Sequence, residues 1–220
     1  MSRNFNVGGD ITLAYATPVL SRLMDGCKGL NRRLRQIILQ REKEQASTSK
    51  SNVGGWHSEL DMLQWPNPEV AELLAWVAVA VKSANDFAVG PEHESGDADI
   101  VAWANVLRGG DYHQPHYHPN SDWSGVYYVV AGDEEPGGGP GGRIDMLDPR
   151  AGVGMMHSPG NAFLGTMQFA PRAGLVLVFP SYLVHHVHPY VGAGERISVA
   201  FNVRMLNVHP AGGRRQRSWW

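Results

Sequence analysis

Six of the ten histidines fall in two short clusters, His113, His116 and His118, then His185, His186 and His188. His116 and His118 are two residues apart, so in extended backbone both side chains leave the same face, whereas His113, at odd spacing from both, points away. In the second cluster Leu183, His185 and Val187 share one face and Tyr182, Val184, His186 and His188 the other. The face carrying His185 is otherwise apolar, which turns His185 inward. An inward imidazole needs a partner, and a metal shared with His116 and His118 supplies one. His57, His93, His157 and His209 read as ordinary hydrogen-bonded or surface histidines.

The single cysteine, Cys27, excludes a thiolate cluster. Imidazoles, alone or with a carboxylate, suit Fe(II), Zn, Ni or Cu, and two histidines plus a carboxylate with open positions typify non-haem Fe(II) oxygenases. Two residues after His116, where that carboxylate is usual, stands His118. The third ligand is therefore His118 itself, Asp122 from the following turn, or water.

Residues 196–204 alternate, with Ile197, Val199, Phe201 and Val203 on one face and Arg196, Ser198, Ala200, Asn202 and Arg204 on the other. A half-buried strand with its polar face in solvent gives the same pattern. Beside a metal-binding histidine in a small barrel, however, Arg196 becomes an inward fork for a carboxylate, with the Ser198 hydroxyl next to it. A buried arginine must be paired, and an acidic ligand is the natural partner if no protein carboxylate answers.

The elements that must position these groups are legible in outline. Leu30, Leu34, Ile37 and Ile38 recur at helical spacing between Gly29 and Lys50, a stretch closed by residues 47–52. A second helix runs from Pro68 to about Asp86, with Asn67 as N-cap, Pro68 at the first position, and Val70, Leu73, Leu74, Val77 and Val81 as its apolar stripe. After Gly90 short strand-like runs follow at 100–107, 125–131, 143–147, 162–169, 174–179, 182–188 and 196–204. Helices followed by many short strands predict a mainly β sandwich or barrel with the helices packed outside. The glycine-rich segment 132–142 reads as a mobile connection too open to pack. Trp103 and Asn105 share an inner face and are candidates to line the pocket, as are Tyr127 or Tyr128, with plain core packing the first reading of these aromatics; residues 51–56 read first as a tight turn with a packed indole and second as a substrate lid.

The composition suits this architecture. At 220 residues, 43% apolar and 18% charged with a net charge of −2, the chain can bury roughly 70–75% of its unfolded surface in one domain. We expect that domain over 1–208, helical over 1–90 and a β-barrel core over 91–208, followed by a basic, aromatic tail at 209–220 suited to disorder or an oligomer contact. No apolar run approaches the ~20 residues of a membrane span, and the first residues lack a signal-peptide core. A near-neutral charge argues against a nucleic-acid partner. A reducing cytoplasmic setting is the expectation from lone Cys27.

The blocks SerAsnValGlyGlyTrpHisSer (51–58), TrpAlaAsn (103–105), ProHisTyrHisPro (115–119), SerGlyValTyrTyr (124–128), AspProArg (148–150), PheProSerTyrLeuValHisHisValHisPro (179–189) and ArgIleSerValAlaPheAsn (196–202), with ThrPro at 17–18, follow one another in a characteristic order. In these the chain resembles the 2-oxoglutarate-Fe(II) oxygenase family over almost its whole length. The resemblance implies a double-stranded β-helix, a jelly-roll of cupin-like form, with Fe(II) held at one mouth by His116, His118 and His185. It implies too that Arg196, with Ser198 beside it, grips the far carboxylate of 2-oxoglutarate; Asn105 and Tyr128 are expected at the same cofactor.

The activity so implied is that of an oxidoreductase. It is a dioxygenase that decarboxylates 2-oxoglutarate to succinate and hydroxylates a C–H bond of a small metabolite, amino acid or biosynthetic intermediate, a peptide or carrier-bound substrate being the other option. The helical N-terminus and Trp219–Trp220 are candidate homodimer contacts. Two other readings compete: a three-histidine cupin-type dioxygenase that needs no 2-oxoglutarate, favoured by His118, and a non-catalytic metal- or ligand-binding β-barrel.

Overall fold

In a computed structural model, residues 15–90, 93–94, 96–135, 137–155, 165–206 and 209–210 are described. In chain order they form β1 (Leu20–Leu23), α1 (Lys28–Glu44), β2 (Asn52–Val53), β3 (Trp56–His57), α2 (Pro68–Val89), β4 (His93–Glu94), β5 (Ala98–Leu107), β6 (Tyr112–His116), β7 (Trp123–Val130), β8 (Ile144–Leu147), β9 (Thr166–Phe169), β10 (Leu175–Pro180), β11 (His185–Val187), β12 (Arg196–Met205) and β13 (His209–Pro210).

The strands pair antiparallel throughout. A six-stranded sheet has the order β1-β10-β7-β12-β5-β3 and a five-stranded sheet the order β2-β6-β11-β8-β9, while β13 pairs with β4 alone. Leu107, Val126, Tyr128, Leu177 and Phe179 of the larger sheet pack with Ile144, Met146 and Val187 of the smaller one, so the sheets face each other across an apolar layer. A second apolar layer lies on the other face of the larger sheet. There Leu30, Leu34 and Ile38 of α1 and Val70, Leu73, Val77 and Val81 of α2 pack with Ile197, Val199, Phe201 and Val203 of β12. The larger sheet is thus buried on both faces, and β12 sits at its centre between β5 and β7. Two polar ties seat the helices: the Tyr127 hydroxyl donates to Asn31 Oδ1 at 2.7 Å, and Trp123 Nε1 donates to Asn85 Oδ1 at 3.1 Å.

The helix expectations hold with adjusted ends. α1 stops at Glu44 rather than nearer Lys50, and α2 begins at Pro68 and ends before Gly90, whose φ of 82° suits glycine. Asn67 occupies the cap position, yet its side chain makes no capping bond. Of the expected strand 162–169 the described part is Thr166–Phe169. β1, β2, β3, β6 and the β4/β13 pair lie outside the expected strands.

The loop 132–142 is a partial correction: its two ends are tied down, with Asp133 accepting the backbone N–H groups of Ala193 and Gly194, the Tyr190 hydroxyl accepting from Asp133 N at 2.8 Å and Gly141 N donating to Glu135, while Gly137, Gly138 and Pro140 remain exposed. The glycines permit that packing, since a Cβ on Gly132 would overlap the Tyr190 ring. The tail residues 211–220 and His157 lie outside the described residues. No helix among the described residues is long and apolar enough to cross a membrane.

Candidate metal and cofactor site

Two of the three predicted ligands stand opposite each other across a strand pair. His116, the last residue of β6, is the register partner of His185 on β11, and their ring centroids are 4.3 Å apart. His118 arrives from the turn after β6, where its backbone N–H donates to Ser181 O at 3.0 Å. Its ring centroid lies 5.0 Å from that of His116 and 5.2 Å from that of His185. One nitrogen from each ring falls within 4.8 Å of the others. The rings are also oriented. His116 Nδ1 pairs with Gln114 O at 2.7 Å and His185 Nδ1 with Leu183 O at 2.8 Å. A carbonyl only accepts, so each Nδ1 carries the proton and Nε2 is the unprotonated nitrogen, that of His116 lying 3.4 Å from the Ser51 hydroxyl. The Asn202 amide nitrogen lies 3.4 Å from His118 Nδ1 and is steadied by a 2.8 Å bond from the Ser124 hydroxyl to Asn202 Oδ1.

Burial keeps these rings neutral. Desolvation lowers all three, taking His185 to about 3 and His118 to about 4, and neighbouring imidazoles push in the same direction. Neutral imidazoles, each with an unprotonated nitrogen, are ready metal ligands. Asp122 is committed elsewhere, its carboxylate accepting the Met205 N–H at 2.7 Å.

The histidines open into a cavity of about 520 Å³ between the sheets, within the usual span for small-molecule sites. Its walls include Trp103, Asn105, Tyr128, Arg196, Ser198 and Asn202, and Lys50 and Tyr117 stand at its lining too. No aspartate or glutamate lines it among the described residues. Arg196 is 2% exposed, and its Nε has no hydrogen-bond partner; neither do Tyr128 Oη and Asn105 Oδ1. Desolvation pulls the Arg196 pKa down, opposed by Tyr128, over whose ring the guanidinium lies. A buried cation with no carboxylate beside it, flanked by two unpaired polar atoms, fits an anionic ligand.

All seven predicted site residues, His116, His118, His185, Arg196, Ser198, Asn105 and Tyr128, therefore line one cavity. Tyr127, the alternative to Tyr128, faces the helices instead. His113 corrects the parity argument. His116 pairs with His185 but His113 pairs with Val187, so three steps on β6 match two on β11. That bulge turns His113 back to the cavity side, buried and with Nδ1 3.2 Å from Ser51 Oγ. His57 also lines the cavity, stacked on Trp103 with centroids 5.7 Å apart. Neither had a signal beyond residue type. Ser51 and Asn202 lay within motif blocks that gave them no role.

Residues 101–202 match the family model described as "Putative 2OG-Fe(II) oxygenase". Among solved structures, a Pseudomonas putida prolyl-4-hydroxylase is 17% identical with a TM-score of 0.61, covering 87% of this chain and 95% of its own. A Trichoplax adhaerens prolyl hydroxylase, solved with a hypoxia inducible factor peptide fragment, is 12% identical with a TM-score of 0.57 and coverages of 86% and 83%. HygX from Streptomyces hygroscopicus, solved with nickel, 2-oxoglutarate and hygromycin B, is 13% identical with a TM-score of 0.54 and the same coverages. At these identities the likeness is one of fold, the double-stranded β-helix. No curated protein matches the chain.

Proposed function

We propose, from the match of residues 101–202 to the 2OG-Fe(II) oxygenase family model, that this chain hydroxylates a C–H bond of a small metabolite, amino acid or biosynthetic intermediate, consuming 2-oxoglutarate and dioxygen and releasing succinate and carbon dioxide. In this reading His116, His118 and His185 hold Fe(II), and Arg196, Ser198, Asn105 and Tyr128 hold 2-oxoglutarate. When bound, the ferrous ion and 2-oxoglutarate would supply the electrons that activate dioxygen, which is the oxidant.

The chain's own residues supply placement. Carbonyl acceptors at Gln114 and Leu183 keep protons off the two Nε2 atoms that face the cavity. Arg196 and the Tyr128 hydroxyl, both buried, offer donors to a carboxylate at the inner end of the cavity, where such bonds are strong. Apolar Phe179, Val187 and Ile144 complete the wall and keep water from the reacting centre. The stacked His57 and Trp103 form a flat surface beside His118, against which a substrate can be oriented.

The observation that carries the reading is the buried Arg196, its Nε without a hydrogen-bond partner and no carboxylate facing it, in the cavity that also gathers three imidazoles. The test is succinate release from 2-oxoglutarate with Fe(II) present. Turnover, even uncoupled, that is lost in Arg196→Ala supports it; no turnover and no 2-oxoglutarate binding overturns it. One observation favours a second reading, a three-histidine dioxygenase that binds its substrate directly: the inner ligand group contains no carboxylate. In that case Arg196 holds a substrate carboxylate, and dioxygen uptake proceeds without 2-oxoglutarate.

A further inference from the structure

The opposite face of β11 carries a second ligand cluster. His186 and His188 alternate outward from inward His185, and His186 is the register partner of Asp145 on β8. One ligand atom from each of Asp145, His186 and His188 lies within 4.8 Å of the others. His188 Nε2 is 2.9 Å from Asp145 Oδ2, and His186 Nε2 is 3.9 Å from the same oxygen.

We propose that Asp145, His186 and His188 form a second divalent-metal site, of Zn(II) type, on the outer face of the smaller sheet, independent of the centre described above.

Three observations carry it. First, a simple hydrogen-bonded pair accounts for His188 but leaves a second imidazole nitrogen aimed at the same oxygen from 3.9 Å, beyond hydrogen-bond range. A cation between the three atoms uses both. Second, the geometry is close to what is needed. With metal–ligand bonds of about 2.0–2.2 Å, tetrahedral ligands sit about 3.4 Å apart, so the 2.9 Å separation opens and the 3.9 Å one closes by about half an ångström each. Third, the carboxylate is already oriented. Gln168 Nε2 donates to Asp145 Oδ1 at 2.8 Å and is itself held by Arg143 through Oε1 at 2.9 Å, leaving Oδ2 for the imidazoles. Burial raises the Asp145 carboxyl, but the bonds from His188 and Gln168 outweigh it and hold the group below the usual carboxylate range. The three side chains retain some exposure, so water can fill the fourth position. Two imidazoles and one carboxylate without thiolate suit Zn(II) and its neighbours over Ca(II) or Mg(II).

The test is equilibrium dialysis of the tag-free, metal-stripped full chain against Zn(II), with circular dichroism confirming the fold of each variant. The expected result is one equivalent retained in His116→Ala, where the inner centre is broken. That equivalent weakens by about tenfold or more when Asp145→Asn or His188→Gln is added. Two variants at different ligands guard against a single misfolded one. The proposal is overturned if His116→Ala protein binds no Zn(II), or binds it unchanged with both second substitutions. Failure of the inner centre looks different: wild type then binds one equivalent, indifferent to His116→Ala yet lost in Asp145→Asn, which supports the outer site alone.

Discussion

The Arg196 guanidinium carbon lies 4.9 Å from the centroid of the Tyr128 ring, a cation held over an aromatic face in a fully buried position. The pairing positions the charge without neutralising it. Stability and ligand binding are thereby set against each other at this residue, because a buried charge without a counter-ion costs several kcal/mol.

Arg196→Met should therefore separate the two. Its melting temperature without ligand equals or exceeds that of wild type, while the stabilisation that 2-oxoglutarate gives wild type disappears and KM for 2-oxoglutarate rises about 100-fold or more. Tyr128→Phe keeps the ring and loses only the hydroxyl, for a rise of about tenfold. Thermal melts with and without 2-oxoglutarate, alongside succinate assays, check both.

Asn202 should act through His118. A metal on Nε2 needs an acceptor for His118 Nδ1–H, which Asn202 supplies once its amide turns Oδ1 towards the ring; Asn202→Ala then lowers Fe(II) affinity by about 10–100-fold, read by competition with a chelating dye. Ser124→Ala, which loosens only the Asn202 amide, gives a smaller loss in the same direction.

Acid should destabilise the metal-free protein early. His113, His118 and His185 titrate near 3, 4 and 3 in the folded chain, through burial first and then through Arg196 for His113 and the His116 imidazole for the other two, against 6.5 when exposed. The unfolded chain thus binds more protons between those values. The stability these neutral rings contribute is intact above about pH 6.5 and is lost as pH falls below it, each group contributing up to ~1.4 kcal/mol per pH unit. Urea unfolding at pH 7.5 and 5.5 measures the loss, and His113→Gln reduces the slope by about one proton.

Gly125 on β7 sits opposite Phe201, whose ring folds over it. A Cβ there would overlap that ring and the Leu177 carbonyl. Gly125→Ala should cost about 2 kcal/mol or more, seen as a lower urea midpoint, and Phe201→Leu in the same chain should recover part of it.

Much of the site was readable because strand parity is a local property. The alternation over 196–204 placed Arg196, Ser198 and Asn202 on one face, and the apolar neighbours of His185 turned it inward, as found. His113 escaped because its direction depends on a bulge, which exists only in the pairing of β6 with β11. β6 itself was obscured by Pro115, tolerated because β2 pairs only with Tyr112 and His113 and asks nothing of position 115. Tyr127 and Tyr128 are neighbours of one type on opposite faces; only the location of the helices says which one meets the cavity. The loop 132–142 was misread at its ends because composition speaks of backbone freedom and not of Tyr190, a distant ring that the glycines make room for.

β12 turns its odd- and even-numbered side chains towards two different interiors, one greasy and helical, the other carrying the arginine and serine. A one-residue insertion or deletion within 196–203 would exchange the two sets wholesale, driving a guanidinium among the helices and leaving the cavity wall aliphatic. The strand can accordingly change by substitution but not by length.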